Sequence, residues 1–150
     1  MTKETIIHFF RHGKTQNPQQ LIKGQAKGFP LRIDGMIEVK KLADFIKKSI
    51  IFAVFHSPTL RGEQTANIIA QELNLNKVKA SDLLNEWNIK IWELKPLSEV
   101  QKSREWPIYL NKITDLNNYK IGEKPKEVIK TEENTIITVT VYVFYGEWEK

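Results

Sequence analysis

One histidine, held between an arginine and a glycine at the end of an apolar run, is the first place in this sequence where chemistry could start. The run Thr5-Ile6-Ile7-His8-Phe9-Phe10 leads straight into Arg11-His12-Gly13. An imidazole offers a nucleophilic nitrogen near neutral pH. Arginine presents a planar, permanently charged fork suited to phosphate oxygens, and glycine lets the backbone turn sharply and approach a ligand closely. Alone, the tripeptide is a weak signal, because a histidine at a strand end is commonly a polar exit from the core. A second stretch strengthens it. The run Ile50-Ile51-Phe52-Ala53-Val54-Phe55 ends in His56-Ser57-Pro58-Thr59-Leu60-Arg61 and continues through Gly62-Glu63-Gln64-Thr65-Ala66. Arg61 then falls near a helix N-terminus, where anions are favoured. A nucleophile flanked by two guanidiniums is what phosphoryl transfer requires, since catalysis there is mostly positioning and charge neutralisation.

Parallel strands must bring these groups together. The runs at 5–10 and 50–55 are nearly continuous in apolarity, as expected for strands covered on both faces of a parallel sheet. A third run, 135–144, is rich in β-branched and aromatic residues; the sequence leaves open whether it pairs within the sheet or lies at an edge. Between the first two runs Val39, Leu42, Ala43 and Ile46 recur at helical spacing, with Asp34 and Gly35 as the expected start. Ala66, Ile69, Ala70 and Leu73 mark a second helix beginning near Leu60, and a short third helix is expected over 97–106. Strand, helix, strand, helix is a βαβ order, so the class is α/β. Its ligand site belongs beyond the carboxyl ends of the strands, which is where His12, Arg11 and Arg61 all emerge.

The totals narrow the alternatives. A chain of 150 residues without cysteine excludes disulfides and thiolate catalysis. It is read as a single domain over 1–150 and as cytoplasmic, since its N-terminal apolar run is too short for a signal-peptide core and nothing approaches a membrane span. The net charge of +5 admits nucleic acid or an anionic surface as partner. The lysines are scattered, however, without a block of like charge, so a solvated surface is the simpler reading. The expected partner is phosphate or a small phosphorylated substrate, with neither nucleic acid nor membrane.

Taken together, these segments resemble the histidine phosphatase (phosphoglycerate mutase-like) superfamily. Arg11-His12-Gly13-Lys14-Thr15 is similar to its RHG(E)T motif, and Ser57-Pro58 through Arg61 to Gln64-Thr65-Ala66 is similar to SPxxRxxQTA. Pro30-Leu31 with Gly35 resembles PLxxxG, while Leu84-Asn85-Glu86 with Trp92-Glu93 and Gly122-Glu123 with Glu127-Val128 resemble later family segments. The resemblance implies a three-layer α/β/α fold with a mostly parallel central sheet. It also implies a phosphomonoester (or phosphohistidine) phosphatase working through a phosphohistidine on His12, without metal or organic cofactor. Arg11 and Arg61 would hold the phosphoryl oxygens, Thr15 and Asn17 would line the pocket, and Glu86 would serve as general acid and then base, with Glu93 as runner-up.

The sequence also departs from the pattern. The family's second histidine is not found, and Tyr145, in Val143-Phe144-Tyr145-Gly146, stands as its replacement; a tyrosine donates a neutral hydrogen bond but brings no imidazolium charge. The region 130–150 is therefore expected to be degenerate or truncated. The alternative function is an impaired relative that binds phosphorylated ligands without turnover. His56 is a candidate to compensate by facing the pocket. Lys14 replaces an acidic residue and is expected to add positive charge near the pocket, and Leu94 replaces a glycine in the stretch after Glu86.

Overall fold

The structure is a computed structural model that describes residues 6–86 and 88–108, together with the backbone of 137–139. Among these residues four strands form one parallel sheet: β1 (Ile7–Phe9), β2 (Ala53–His56), β3 (Val78–Ala80) and β4 (Ile137–Val139), in the order β1-β4-β2-β3. The last apolar run thus enters the sheet rather than hanging from it. Val139 pairs with Phe9 on one side and with Phe55 on the other, so β4 is the link between the two strands that lead to His12 and Arg61. The remainder of that run lies outside the described residues.

Two helices cover the sheet. α1 (Ile33–Ile46) buries Gly35, Val39, Ala43 and Ile46, and α2 (Leu60–Glu72) buries Arg61, Gly62, Thr65, Ala66, Ile69 and Ala70. Both stripes follow the three- and four-residue spacing that keeps side chains on one helix face. α1 packs on α2, and α2 packs on β2 and β3. Leu31, Val39, Ala43, Ile46, Val54, Ala66 and Ile69 form the resulting core, with Phe10 against it. Asp34 is not the cap of α1. The helix starts one residue earlier, Arg32 is the N-cap and makes no side-chain capping bond, and Asp34 occupies the first turn, where its charge complements the helix dipole. Its carboxylate accepts from Arg32 Nε at 2.9 Å. In α2 the cap is Thr59, whose side chain accepts from the Gly62 amide.

Sequence patterning misses β3. Its three residues, Val78-Lys79-Ala80, are too short and too polar a run to read as a strand; among the described strands they form an edge of the sheet, where lysine is a common protective residue. β1 is also at an edge, and Phe9 is 48% exposed, so the expectation of burial on both faces holds for β2 and not for β1. A second apolar cluster joins Ile22, Ile89, Trp92 and Val100, with Leu97 and Trp106 packed on it. The Trp92 and Trp106 rings meet edge-on at 5.7 Å. The third helix, α3 (Leu97–Val100), is a single turn within this cluster. The cluster fastens the 20–24 and 86–97 loops to each other beside the strand ends.

Candidate active site

His12 follows β1 by three residues and is only 8% exposed. Its Nδ1 lies 2.6 Å from the Gly13 carbonyl oxygen. A carbonyl only accepts, so Nδ1 carries the proton and Nε2 carries the lone pair, which is the tautomer a nucleophile at Nε2 needs. Gly13 has a packing role as well. A Cβ there would lie 2.7 Å from the Gly35 carbonyl oxygen and 2.8 Å from Val39 Cγ2, and a Cβ on Gly35 would collide with the Lys14 backbone. Two glycines thereby let the first turn of α1 press on the loop that carries His12. The same loop is held from three other directions. Arg32 N–H donates to Lys14 O at 2.8 Å, Gln16 N–H to Pro30 O at 2.8 Å, and Gly13 N–H to Thr65 Oγ1 at 3.2 Å.

The start of α2 supplies the opposing wall. Arg61 is fully buried, and its Nη2 donates to Gly24 O at 2.6 Å, fixing the guanidinium against the 23–26 loop. Gln64 and Thr65 tie the elements together: Gln64 Oε1 accepts from Leu31 N–H at 2.7 Å, and Thr65 Oγ1 donates to Arg61 O at 2.7 Å while accepting from Gly13. Ser57 and Thr59 share a 2.8 Å hydrogen bond at the helix entrance. The residues between Ser57 and Ala66 thus connect β2, the His12 loop and the Pro30-Leu31 segment.

Glu86 comes from the third strand end. After β3 a single 3-10 turn, Asp82–Leu84, directs the chain to Asn85 and Glu86, and the Glu86 carbonyl accepts from Gln25 Nε2 at 2.6 Å. Asn17 closes its own turn, with Nδ2 donating to Leu21 O at 2.8 Å and Oδ1 accepting from Leu21 N–H at 2.9 Å. Thr15 accepts from Lys23 Nζ at 2.9 Å. His56 is buried, with Nδ1 donating to Ser57 O at 2.7 Å. Tyr145, like Trp87, lies outside the described residues. Among the described residues no three His, Asp or Glu side chains converge as metal ligands would.

Charge around His12 is positive. Burial first, and then Lys23, Arg61 and Arg11, push its pKa from 6.5 down to about 3, outweighing the bond to Gly13 that acts in the opposite direction. The imidazole is neutral at neutral pH, as attack by Nε2 requires. Lys23 is itself lowered to about 8 by burial and by Arg61 and Arg11, with Glu86 acting against them. Lys14 contributes differently from what the sequence led one to expect. Its ammonium pairs with Glu38 on α1 at 2.6 Å, so the extra positive charge at the site comes from Lys23.

The family profile described as histidine phosphatase superfamily, branch 1, matches residues 7–136. The chain belongs to that superfamily. This histidine phosphatase relative is 34% identical over 88 residues to the uncharacterized protein Rv0525 of Mycobacterium tuberculosis, an alignment taking in 59% of this chain and 44% of that protein. The chain thus matches less than half the length of that curated relative. Among solved structures, YhfR of Bacillus stearothermophilus superposes with a TM-score of 0.72 at 22% identity, covering 91% of this chain and 74% of that one. A phosphoglycerate mutase from Bacillus anthracis gives 0.63 at 18% identity over 93% and 76%. An alpha-ribazole phosphatase from Shigella flexneri gives 0.67 at 21% over 90% and 73%. At these identities the likeness is one of fold: α/β/α with a central parallel sheet, phosphoglycerate mutase-like. Lys23 is the charged neighbour of His12 that the sequence did not reveal. It sits in a loop among scattered lysines, and only the fold sets it beside Arg61.

Proposed function

We propose that this protein is a phosphoric monoester hydrolase that works through a phosphohistidine on His12. The observation that carries the proposal is the state of His12: buried, neutral, protonated on Nδ1 by the bond to Gly13, and surrounded by Arg11, Arg61 and Lys23. A neutral nucleophile within a cationic wall suits a dianionic phosphomonoester, whose charge the wall neutralises while Nε2 attacks. In the first step the Nε2–P bond forms as the bond from phosphorus to the leaving oxygen breaks, and Glu86 gives that oxygen a proton. In the second step Glu86 takes a proton from water, the water oxygen attacks phosphorus, and the Nε2–P bond breaks to release phosphate. Arg11 and Arg61 hold the non-bridging oxygens. Thr15 and Asn17 line the pocket, Asn17 with the Nδ2 hydrogen that its bond to Leu21 does not use, and Tyr145 contributes a neutral donor.

The test is hydrolysis of a chromogenic phosphomonoester across about pH 4 to 8 without added metal, wild type beside His12→Ala. Turnover by the wild type that disappears in the variant is the expected result. Undiminished turnover by His12→Ala would sink the proposal. One sequence feature favours a second reading: tyrosine rather than histidine at position 145. Phosphate bound by the wild type with no hydrolysis of any ester in a panel would make the protein a phosphate-binding scaffold.

A further inference from the structure

We propose that Gln25 is a positioning residue, its side-chain amide fixing the backbone that carries Glu86 relative to the Arg61 guanidinium. This rests on the reading of Glu86 as the general acid and names the group that places it. Glu86 stands between two turns. The turn after β3 closes with Asn85 N–H donating to Asp82 O at 3.1 Å, and the next begins at Ile89, whose carbonyl accepts from Trp92 N–H at 2.8 Å. In the gap, Gln25 Nε2 donates to the Glu86 carbonyl at 2.6 Å, a bond that spans 61 positions of sequence.

Gln25 is a firm point to hold from. The Gly24 carbonyl before it accepts from Arg61 Nη2 at 2.6 Å, and the Ala26 carbonyl after it accepts from Arg61 Nη1 at 3.4 Å. Ala26 N–H also closes a turn onto Lys23 O at 2.9 Å. Both neighbours of Gln25 are thus tied to a fully buried guanidinium. The rest of the Glu86 loop rests on the same segment. Ile22 N–H donates to Lys95 O at 2.9 Å, and Leu94 N–H donates to Ile22 O at 2.8 Å. A Cβ on Gly24 would lie 3.1 Å from Ile89 Cγ1. Gln25 therefore links the residue proposed to hold the phosphoryl oxygens to the residue proposed to protonate the leaving oxygen. That distance decides the proton transfer, which needs the acid within hydrogen-bond reach of the leaving oxygen; a misplacement of about 1 Å can cost on the order of 10²-fold. An amide suits the task because it donates a hydrogen bond without bringing a charge, so it holds the carbonyl without neutralising the Glu86 carboxylate.

The experiment compares two esters of similar size, 4-nitrophenyl phosphate and 2-phenylethyl phosphate, by phosphate release on wild type, Gln25→Met, Gln25→Asn and Glu86→Gln. A nitrophenolate leaves without a proton, whereas an alkoxide needs one, so kcat/KM for the alkyl ester reads the acid and kcat/KM for the aryl ester does not. Gln25→Met keeps the length of the side chain and removes the donor. Its kcat/KM should fall about tenfold further on the alkyl ester than on the aryl ester, with inhibition by inorganic phosphate close to that of the wild type. Gln25→Asn, whose amide is withdrawn by one carbon, should show the same bias. A residue that merely stapled the loop would lower both rates alike. Equal losses on the two esters, or wild-type rates on both, while Glu86→Gln shows the bias, would overturn the Gln25 proposal and leave Glu86 as the acid. If the wild type cleaves neither ester, or Glu86→Gln cleaves the alkyl ester as well as the wild type does, the reading of Glu86 fails and the Gln25 proposal fails with it.

Discussion

At the scale of single residues, the chemistry depends on how each polar group is held. The Gly13 carbonyl assigns the proton of His12 to Nδ1, and burial in a ring of cations keeps the imidazole neutral down to about pH 3. Loss of activity on mild acidification is therefore not expected to come from His12 in the free enzyme, whose folded-state pKa lies well below the ordinary range. Glu86 carries the proton transfers in the proposed mechanism, so Glu86→Gln should lower kcat by about 10²-fold or more while leaving phosphate binding near the wild-type level. Steady-state kinetics beside phosphate titration checks this, and unchanged kcat would transfer the role to Glu93. Sequence reading named His12, Arg11 and Arg61 because they sit in motifs that follow two apolar strand runs, and Glu86 only through the family resemblance, since the strand before it was not read. Lys23 goes unnamed, because nothing in Ile22-Lys23-Gly24 separates a pocket lysine from a solvated one until Arg61 is seen bonding to Gly24.

At the scale of elements, the helices were readable and the joints between them were not. The apolar spacing gives α1 and α2 nearly in full. The start of α1 shifts to Ile33 because Asp34 does more in the first turn, beside Arg32, than it would as a cap. β3 escapes notice because an edge strand of three residues has little apolar content to display. Leu94 shows how a departure from the family pattern acquires a physical meaning. Its φ of +63° lies in the left-handed region, where a side chain costs about 1–2 kcal/mol and glycine nearly nothing. It is more than half exposed, so removing the side chain forfeits little burial. After the greater chain entropy of glycine in the unfolded state is subtracted, Leu94→Gly should stabilise the protein by about 0.5–1 kcal/mol in urea denaturation. Destabilisation would show that the leucine side chain is needed to hold the loop between Glu86 and α3.

At the scale of the whole molecule, the parallel sheet is what assembles the site. β1, β2 and β3 all point their carboxyl ends the same way, so His12, Arg61 and Glu86 arrive at one edge from three separate parts of the chain. The sequence supplies β1, β2 and β4 but not their order, and the insertion of β4 between β1 and β2 was not legible, since apolar content alone does not distinguish a central strand from an edge one. Because β4 pairs residues as far apart as Phe9 and Val139, completion of the site depends on the most distant contacts of the fold, a topology that favours slow folding. The central claim is that this assembled edge transfers a phosphoryl group onto His12. The most direct measurement is to quench the protein during turnover of a radiolabelled phosphomonoester and ask whether label stays on the denatured chain. The account predicts an acid-labile, alkali-stable label on the wild type that is absent from His12→Ala; hydrolysis with no label on the chain at any quench time, or equal label on the variant, would contradict it.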